Sequence, residues 1–189
     1  MNDRLNVQDR AEATVKRRPG AQSGFRLGGV FEVVCRDPQG NEKWRDRSHN
    51  IVTNAGLNYA LDAAVSGGTP VTTWYVGLVS DTPTFAAGDT MGSHSGWTEF
   101  TAYDEAARQT WTDGGVSSQS ASNSASTADF TISTNSSVIA GAFITSDSTK
   151  SGTSGTLFSG VAFTGGDKAA DDGDTLSVTY TLGASDDGA

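Results

Sequence analysis

Two histidines, one cysteine and a run of carboxylates are the residues of this 189-residue chain whose types could do chemistry near neutral pH. His49 is flanked by Asp46 and Asn50, and His94 lies in Met91-Gly92-Ser93-His94-Ser95-Gly96-Trp97. Imidazole is the usual general base at this pH, and a serine and an aspartate could be assigned to either ring to complete a triad. Serine is too frequent here for that assignment to discriminate, and no Gly-x-Ser-x-Gly elbow occurs. Asp171, Asp172 and Asp174 around Gly173 could offer oxygen ligands to calcium, but the glutamate that closes an EF-hand loop is missing. A solvated turn leading into a strand is the simpler reading. One cysteine and two scattered histidines cannot close a tetrahedral zinc site, and neither glycine-rich phosphate loop is present. The chain is therefore expected to be non-catalytic, with no cofactor and no essential metal.

The elements that would position any site are predominantly strands. The chain is 35% hydrophobic with 23 glycines, and its long Ser/Thr-rich stretches suit short strands and turns. Phe31, Val33 and Cys35 alternate with Glu32, Val34 and Arg36, and the turn Asp37-Pro38-Gln39-Gly40-Asn41 leads to a second strand around Trp44, giving a hairpin. A single helix is predicted over Ala55 to Val65, capped by Asn54 and stopped by Gly67-Gly68. Its Leu57, Ala60, Leu61, Ala64 and Val65 fall on one face, which is expected to lie against the sheet. Thr72 to Val79 is β-branched and aromatic, a strong strand. The stretch from Thr84 to Thr112 carries Phe85, Trp97, Phe100, Tyr103 and Trp111 and reads as a folded excursion over the core. Val116 to Thr127 is serine-rich and is expected to be a surface loop or a loosely paired edge. Strands follow at Asp129 to Ser133, Val138 to Thr145 and Thr156 to Phe163, and Thr175 to Leu182 alternates cleanly between apolar and hydroxyl residues. The expected fold is mostly β: a sandwich or jelly-roll-like domain over 24–189 with one short helix, preceded by an extended basic N-terminal arm over 1–23.

Charge is unevenly placed along the chain. Residues 1–50 hold ten Lys/Arg against seven Asp/Glu, whereas 51–189 hold three against fifteen, for a net charge of −9. An acidic body repels a phosphate backbone, so nucleic acid is not an expected ligand. No apolar run is long enough to cross a bilayer, no secretion signal is visible, and no membrane partner is expected. The single cysteine excludes an intrachain disulfide and fits folding in a reducing cytosol. In the first 23 residues, Arg4, Arg10, Lys16, Arg17 and Arg18 form a basic set ending at Pro19-Gly20. These five cations are the candidate partner-binding residues of an arm that becomes ordered on an acidic surface; a solvated terminus is the alternative.

The middle of the chain carries a resemblance. The series His49-Asn50-Ile51-Val52-Thr53-Asn54-Ala55-Gly56-Leu57-Asn58, Thr72-Thr73-Trp74-Tyr75-Val76-Gly77-Leu78, Ala87-Gly88-Asp89-Thr90-Met91, Ser93-His94, Gly96-Trp97-Thr98-Glu99-Phe100 and Tyr103-Asp104-Glu105-Ala106-Ala107-Arg108 resembles virion structural proteins of tailed bacteriophages, over about residues 30–112. The resemblance implies a subunit without catalytic residues that assembles in the host cytoplasm and resides in the virion. A capsid decoration, or cement, protein on the outer shell is the leading expectation. Its partners would be the major capsid protein and copies of itself, as a homotrimer on threefold positions. A tail, neck or fibre-adaptor subunit is the alternative. A carbohydrate-binding module stacking sugars on Trp74, Trp97, Trp111 and Tyr103 is a third reading of another class.

Overall fold

The computed structural model describes residues 24–186. Strands β1 (Phe25–Arg36) and β2 (Glu42–His49) form the expected hairpin, and β3 (Ile51–Val52) crosses to a second sheet. Helix α1 (Asn54–Leu61) follows, closed by a π-helical turn over Asp62–Ser66. The remaining strands are β4 (Trp74–Val79), β5 (Glu99–Phe100), β6 (Gln109–Trp111), β7 (Ser120–Ser122), β8 (Ala128–Thr131), β9 (Ser137–Ile139), β10 (Gly141–Thr145), β11 (Leu157–Ala162), β12 (Lys168–Ala170) and β13 (Thr175–Asp186). All pairings are antiparallel.

One sheet runs β2-β1-β13-β7, with β8 also on β13; the other runs β3-β11-β10-β4-β5, with β6 on β4; β9 and β12 make a small third sheet. The two larger sheets face each other. Phe31, Val33, Cys35, Leu176, Val178 and Tyr180 from the first meet Val76, Leu78, Ala142, Ile144, Phe158 and Val161 from the second in one buried core. This is the alternation seen in the sequence of β1 and β13, realised as one face inward and one outward.

A second buried cluster covers the outside of the second sheet. Phe85, Met91 and Trp97 from the 84–112 excursion pack on Val79, Phe143 and Leu157. Two glycines make room for aromatic rings there. A Cβ at Gly77 would stand 2.2 Å from the Phe143 ring, and one at Gly160 would stand 2.0 Å from the Phe85 ring. The excursion is locked by a buried ion pair in which the Arg108 guanidinium donates to both Glu99 oxygens at 2.8 and 2.7 Å. Arg108 also donates to the carbonyls of Asp147 and Gly152, so it ties the excursion to the 147–152 loop.

Three expectations are corrected. The helix is capped by the Thr53 hydroxyl, which accepts from the Gly56 amide, and not by Asn54. Its apolar stripe does not face the sheet: Leu61 is 57% and Val65 78% exposed, and Leu57 is exposed too. The helix instead docks through Gly56, where a Cβ would stand 2.2 Å from the Phe158 carbonyl oxygen, and through Tyr59, whose ring meets Trp74 edge-on at 5.0 Å. Phe158 sits at a bulge, where the β10–β11 pairing passes from Ile144↔Ser159 to Thr145↔Leu157, and its carbonyl accepts from Thr53 N–H. Finally, 138–145 is not one strand. It breaks at Ala140, whose N–H goes to Val79 and whose carbonyl accepts from Phe163; β9 pairs with β12, while β10 lies between β4 and β11 in the second sheet.

Candidate interaction surface at the open end of the sandwich

The first sheet is longer than the second. β1 and β13 pair over twelve residues, from Arg36↔Thr175 to Phe25↔Asp186, while β2 accompanies β1 only from Val30 onward. The β1–β13 pair therefore runs on as a ribbon past the end of β2, flanked on the β13 side by β7 as far as Gly183. Its inner side keeps the core pattern, since Phe25, Leu27, Leu182 and Ala184 share the parity of the buried Phe31 and Tyr180. Leu182 on this side meets Trp74 and Trp111 of the second sheet, while the outer end of the ribbon is left open. Phe25 is 68% exposed, and Val116, from the serine-rich segment, is 80% exposed. Leu27, Val116, Ala121 and Leu182 line an apolar concavity of about 240 Å³.

Leu182 also lines the small gap between Trp74, Trp111, Phe158 and Tyr180, so the concavity and the two half-buried tryptophans lie on either side of it. Trp74 and Trp111 are directly opposed on β4 and β6, and the Trp111 indole N–H donates to the Tyr180 carbonyl at 3.0 Å. Of the four aromatics considered as sugar platforms, Trp97 and Tyr103 are buried in the fold. Trp74 and Trp111 remain half-exposed, among Ile144, Phe158 and Leu182, which offer no hydrogen bonds to hydroxyl groups. Large half-buried rings in an apolar setting suit a protein contact better.

The side chains that could do chemistry lie apart from this end and from one another. His94 stacks on Trp97 at 3.8 Å with its Nδ1 3.1 Å from the Trp97 carbonyl oxygen, which makes it part of the excursion's packing. His49 ends β2, exposed, and Ser48 beside it gives its hydroxyl to Asp46 and accepts from the Thr164 amide. The acidic turn is occupied by structural bonds. Asp174, 2% exposed, accepts from Lys43 Nζ at 2.5 Å and from the Asp171 amide at 2.8 Å. Asp171 accepts from the Ser136 amide and from Lys43, and these bonds hold its carboxyl below the usual carboxylate range. Among the described residues, no three His, Cys, Asp or Glu side chains are grouped to hold a metal ion. Cys35 lies beside Asp174, and burial first, then that carboxylate, pushes its thiol up to about 12.

The predicted partner-binding cations Arg4, Arg10, Lys16, Arg17 and Arg18 lie outside the described residues. Their point of attachment does not: residue 24 leads directly into Phe25 on the projecting ribbon. Sequence reasoning missed two polar groups that hold this end together. Asn123, fully buried within the serine-rich stretch, donates to the Val178 carbonyl and accepts from the Tyr180 amide. It fills the gap on β13 between the residues paired with β8 and those paired with β7. Asn50 does the same on β1, with its side chain accepting from the Gly29 amide at 2.6 Å. For Asn123 the visible signal was an amide side chain standing alone among residues with nothing to bury. No protein-family model, no curated protein and no solved structure matches the chain.

Proposed function

We propose that this chain is a non-catalytic structural subunit of a tailed-phage virion, a decoration protein that binds the outside of the shell and stabilises it. The observation that carries this reading is the open end of the sandwich. An apolar ribbon face with two half-buried tryptophans sits at the root of a segment holding five Lys/Arg against three Asp/Glu. One pole thus joins an apolar anchor to a cationic arm, while the body carries eight Lys/Arg against eighteen Asp/Glu over residues 24–186. An acidic body limits premature association in solution, and many equivalent weak contacts on a symmetric lattice add to a strong attachment. The resemblance of residues 30–112 to phage structural proteins supports the same assignment, with the major capsid protein and further copies of the chain as partners.

The test is reconstitution on particles that lack the subunit. Added full-length chain is expected to bind in a copy number matching the shell lattice and to raise the temperature at which DNA is released. Reversing Lys16, Arg17 and Arg18 to Glu should weaken that binding without changing the melting temperature of the free chain. Unchanged release temperature together with lost host attachment would overturn the decoration reading in favour of a tail or fibre-adaptor subunit.

A further inference from the structure

Among the described residues, no strand pairs with the outer edge of β1 along the projecting ribbon. β2 leaves β1 after Val30↔His49, and Asn50 completes the ladder: its backbone N–H donates to the Gly29 carbonyl at 3.1 Å and its side chain accepts from the Gly29 amide. One repeat further out, strand alternation turns the N–H and C=O of Leu27 to the same side, where no described strand lies. β13 holds this part of β1 in register from the other side as far as Phe25↔Asp186. On the outer face the edge borders a depression of about 340 Å³ floored by Gly28, Gly29 and Gly183 and walled by His49 and Asn50. On the inner face it borders Phe25 and Leu27. An incoming strand, whose side chains alternate between faces, would find room on one and an apolar neighbour on the other, as recognition by strand addition requires.

We infer that this edge accepts a strand, and that its occupant is the N-terminal segment, residues 1–23, of a neighbouring copy. The inference rests on the reading of the chain as a self-assembling subunit. Native edges are normally protected by charge, proline or a cover, and Phe25 to Gly29 offers only Arg26. Two such edges paired together would bring about five residues a side, whereas stable interfaces use roughly 20–30, so the edge alone does not make a dimer. A 23-residue segment has length to pair with the edge and still spread over the body. Its charge is opposite to that of the body, with five Lys/Arg against three Asp/Glu meeting eight against eighteen.

Sedimentation equilibrium of the full chain tests this, with a synthetic peptide of residues 1–23 as competitor. Gly28→Lys leaves the fold intact, since a Cβ there meets nothing within 4 Å, and it sets a like charge against the cationic segment. Leu27→Pro removes the outward amide that the added strand would use. The wild type is expected to self-associate, each variant about tenfold or more weaker in dissociation constant with Gly28→Lys keeping the wild-type melting temperature. The peptide should dissociate the wild-type oligomer, and a peptide with Lys16, Arg17 and Arg18 changed to Glu should not. Association unaffected by Gly28→Lys would overturn the proposal, as would a monomeric chain that leaves the peptide unbound. Association weakened by the variants but indifferent to the peptide would also overturn it, by assigning the edge to pairing with a second β1 edge. A monomeric chain that still decorates shells would refute this site and leave the proposed function standing; peptide-sensitive association without shell binding would do the reverse.

Discussion

Lys43 Nζ lies 2.5 Å from the carboxylate of Asp174, and this pair ties the first hairpin to the turn that starts the last strand. Asp174 is nearly inaccessible and accepts there from Lys43 and from the Asp171 amide. Lys43→Met would leave the carboxylate without its cation and is expected to cost about 1–3 kcal/mol, the usual penalty for a buried group losing its partner. The same geometry commits the oxygens that a calcium ion would need. Melting of the wild type should be the same in calcium and in chelator, and a difference of many degrees would show that the turn binds metal after all.

Stability is expected to be flat near neutrality and to fall at both ends of the pH range. Asp37, Glu42, Asp147 and Asp171 all titrate below the ordinary carboxylate range, held there by hydrogen bonds to Asn41, Arg45, Ser154 and Ser136 respectively. A lowered carboxyl favours the fold above its unfolded value of about 4 and loses that contribution as pH falls through the folded one. Cys35 has the opposite sign. Its thiol is pushed up to about 12, so its contribution is complete below an unfolded value of about 8.5 and is lost as pH rises towards the folded one. Thermal melts from pH 2 to pH 11 would check both limbs, and Asp171→Asn should shallow the acid limb.

Arg108 is the most deeply buried charge in the described chain, with its side chain fully enclosed. Arg108→Met strands the Glu99 carboxylate and two carbonyls, so a loss of about 3–5 kcal/mol is expected. Pairing it with Glu99→Leu should recover part of that loss, because two apolar groups replace a buried ion pair at little cost when the volume is kept. Chemical denaturation of the two single variants and the double variant measures the coupling, and additive losses would mean that the pair does not act as a unit.

The sandwich was legible because period-two alternation in β1 and β13 is a direct image of a sheet with one buried face. The aromatic excursion was legible for a related reason, since Phe85 and Trp97 are too large and apolar to be left in a linker. Its lock was not: Glu99 and Arg108 read as ordinary surface charges until the fold buries them together. Gly77 and Gly160 look like strand breakers, and only the rings of Phe143 and Phe85 lying on them explain their place. The projecting ribbon was hidden because the sequence of β1 contains no mark of where β2 stops; the ladder ends at Asn50, through its bonds to Gly29.

The helix gives the sharpest contrast between pattern and packing. Leu57, Leu61 and Val65 recur at helical spacing and invite burial, yet all three are exposed, and the contact with the sheet is made by Gly56 and Tyr59. Leu61→Ala should therefore change stability by less than about 0.5 kcal/mol, as a surface substitution does. Gly56→Ala should destabilise by about 1–3 kcal/mol even though alanine is the better helix former by about 1 kcal/mol. Its Cβ would stand 2.2 Å from the Phe158 carbonyl oxygen, and backbone at a bulge that also receives Thr53 cannot move aside as the end of a side chain can. Urea denaturation of the two variants beside the wild type decides the matter. A costly Leu61→Ala with a silent Gly56→Ala would mean that the apolar stripe, and not the glycine, faces the sheet.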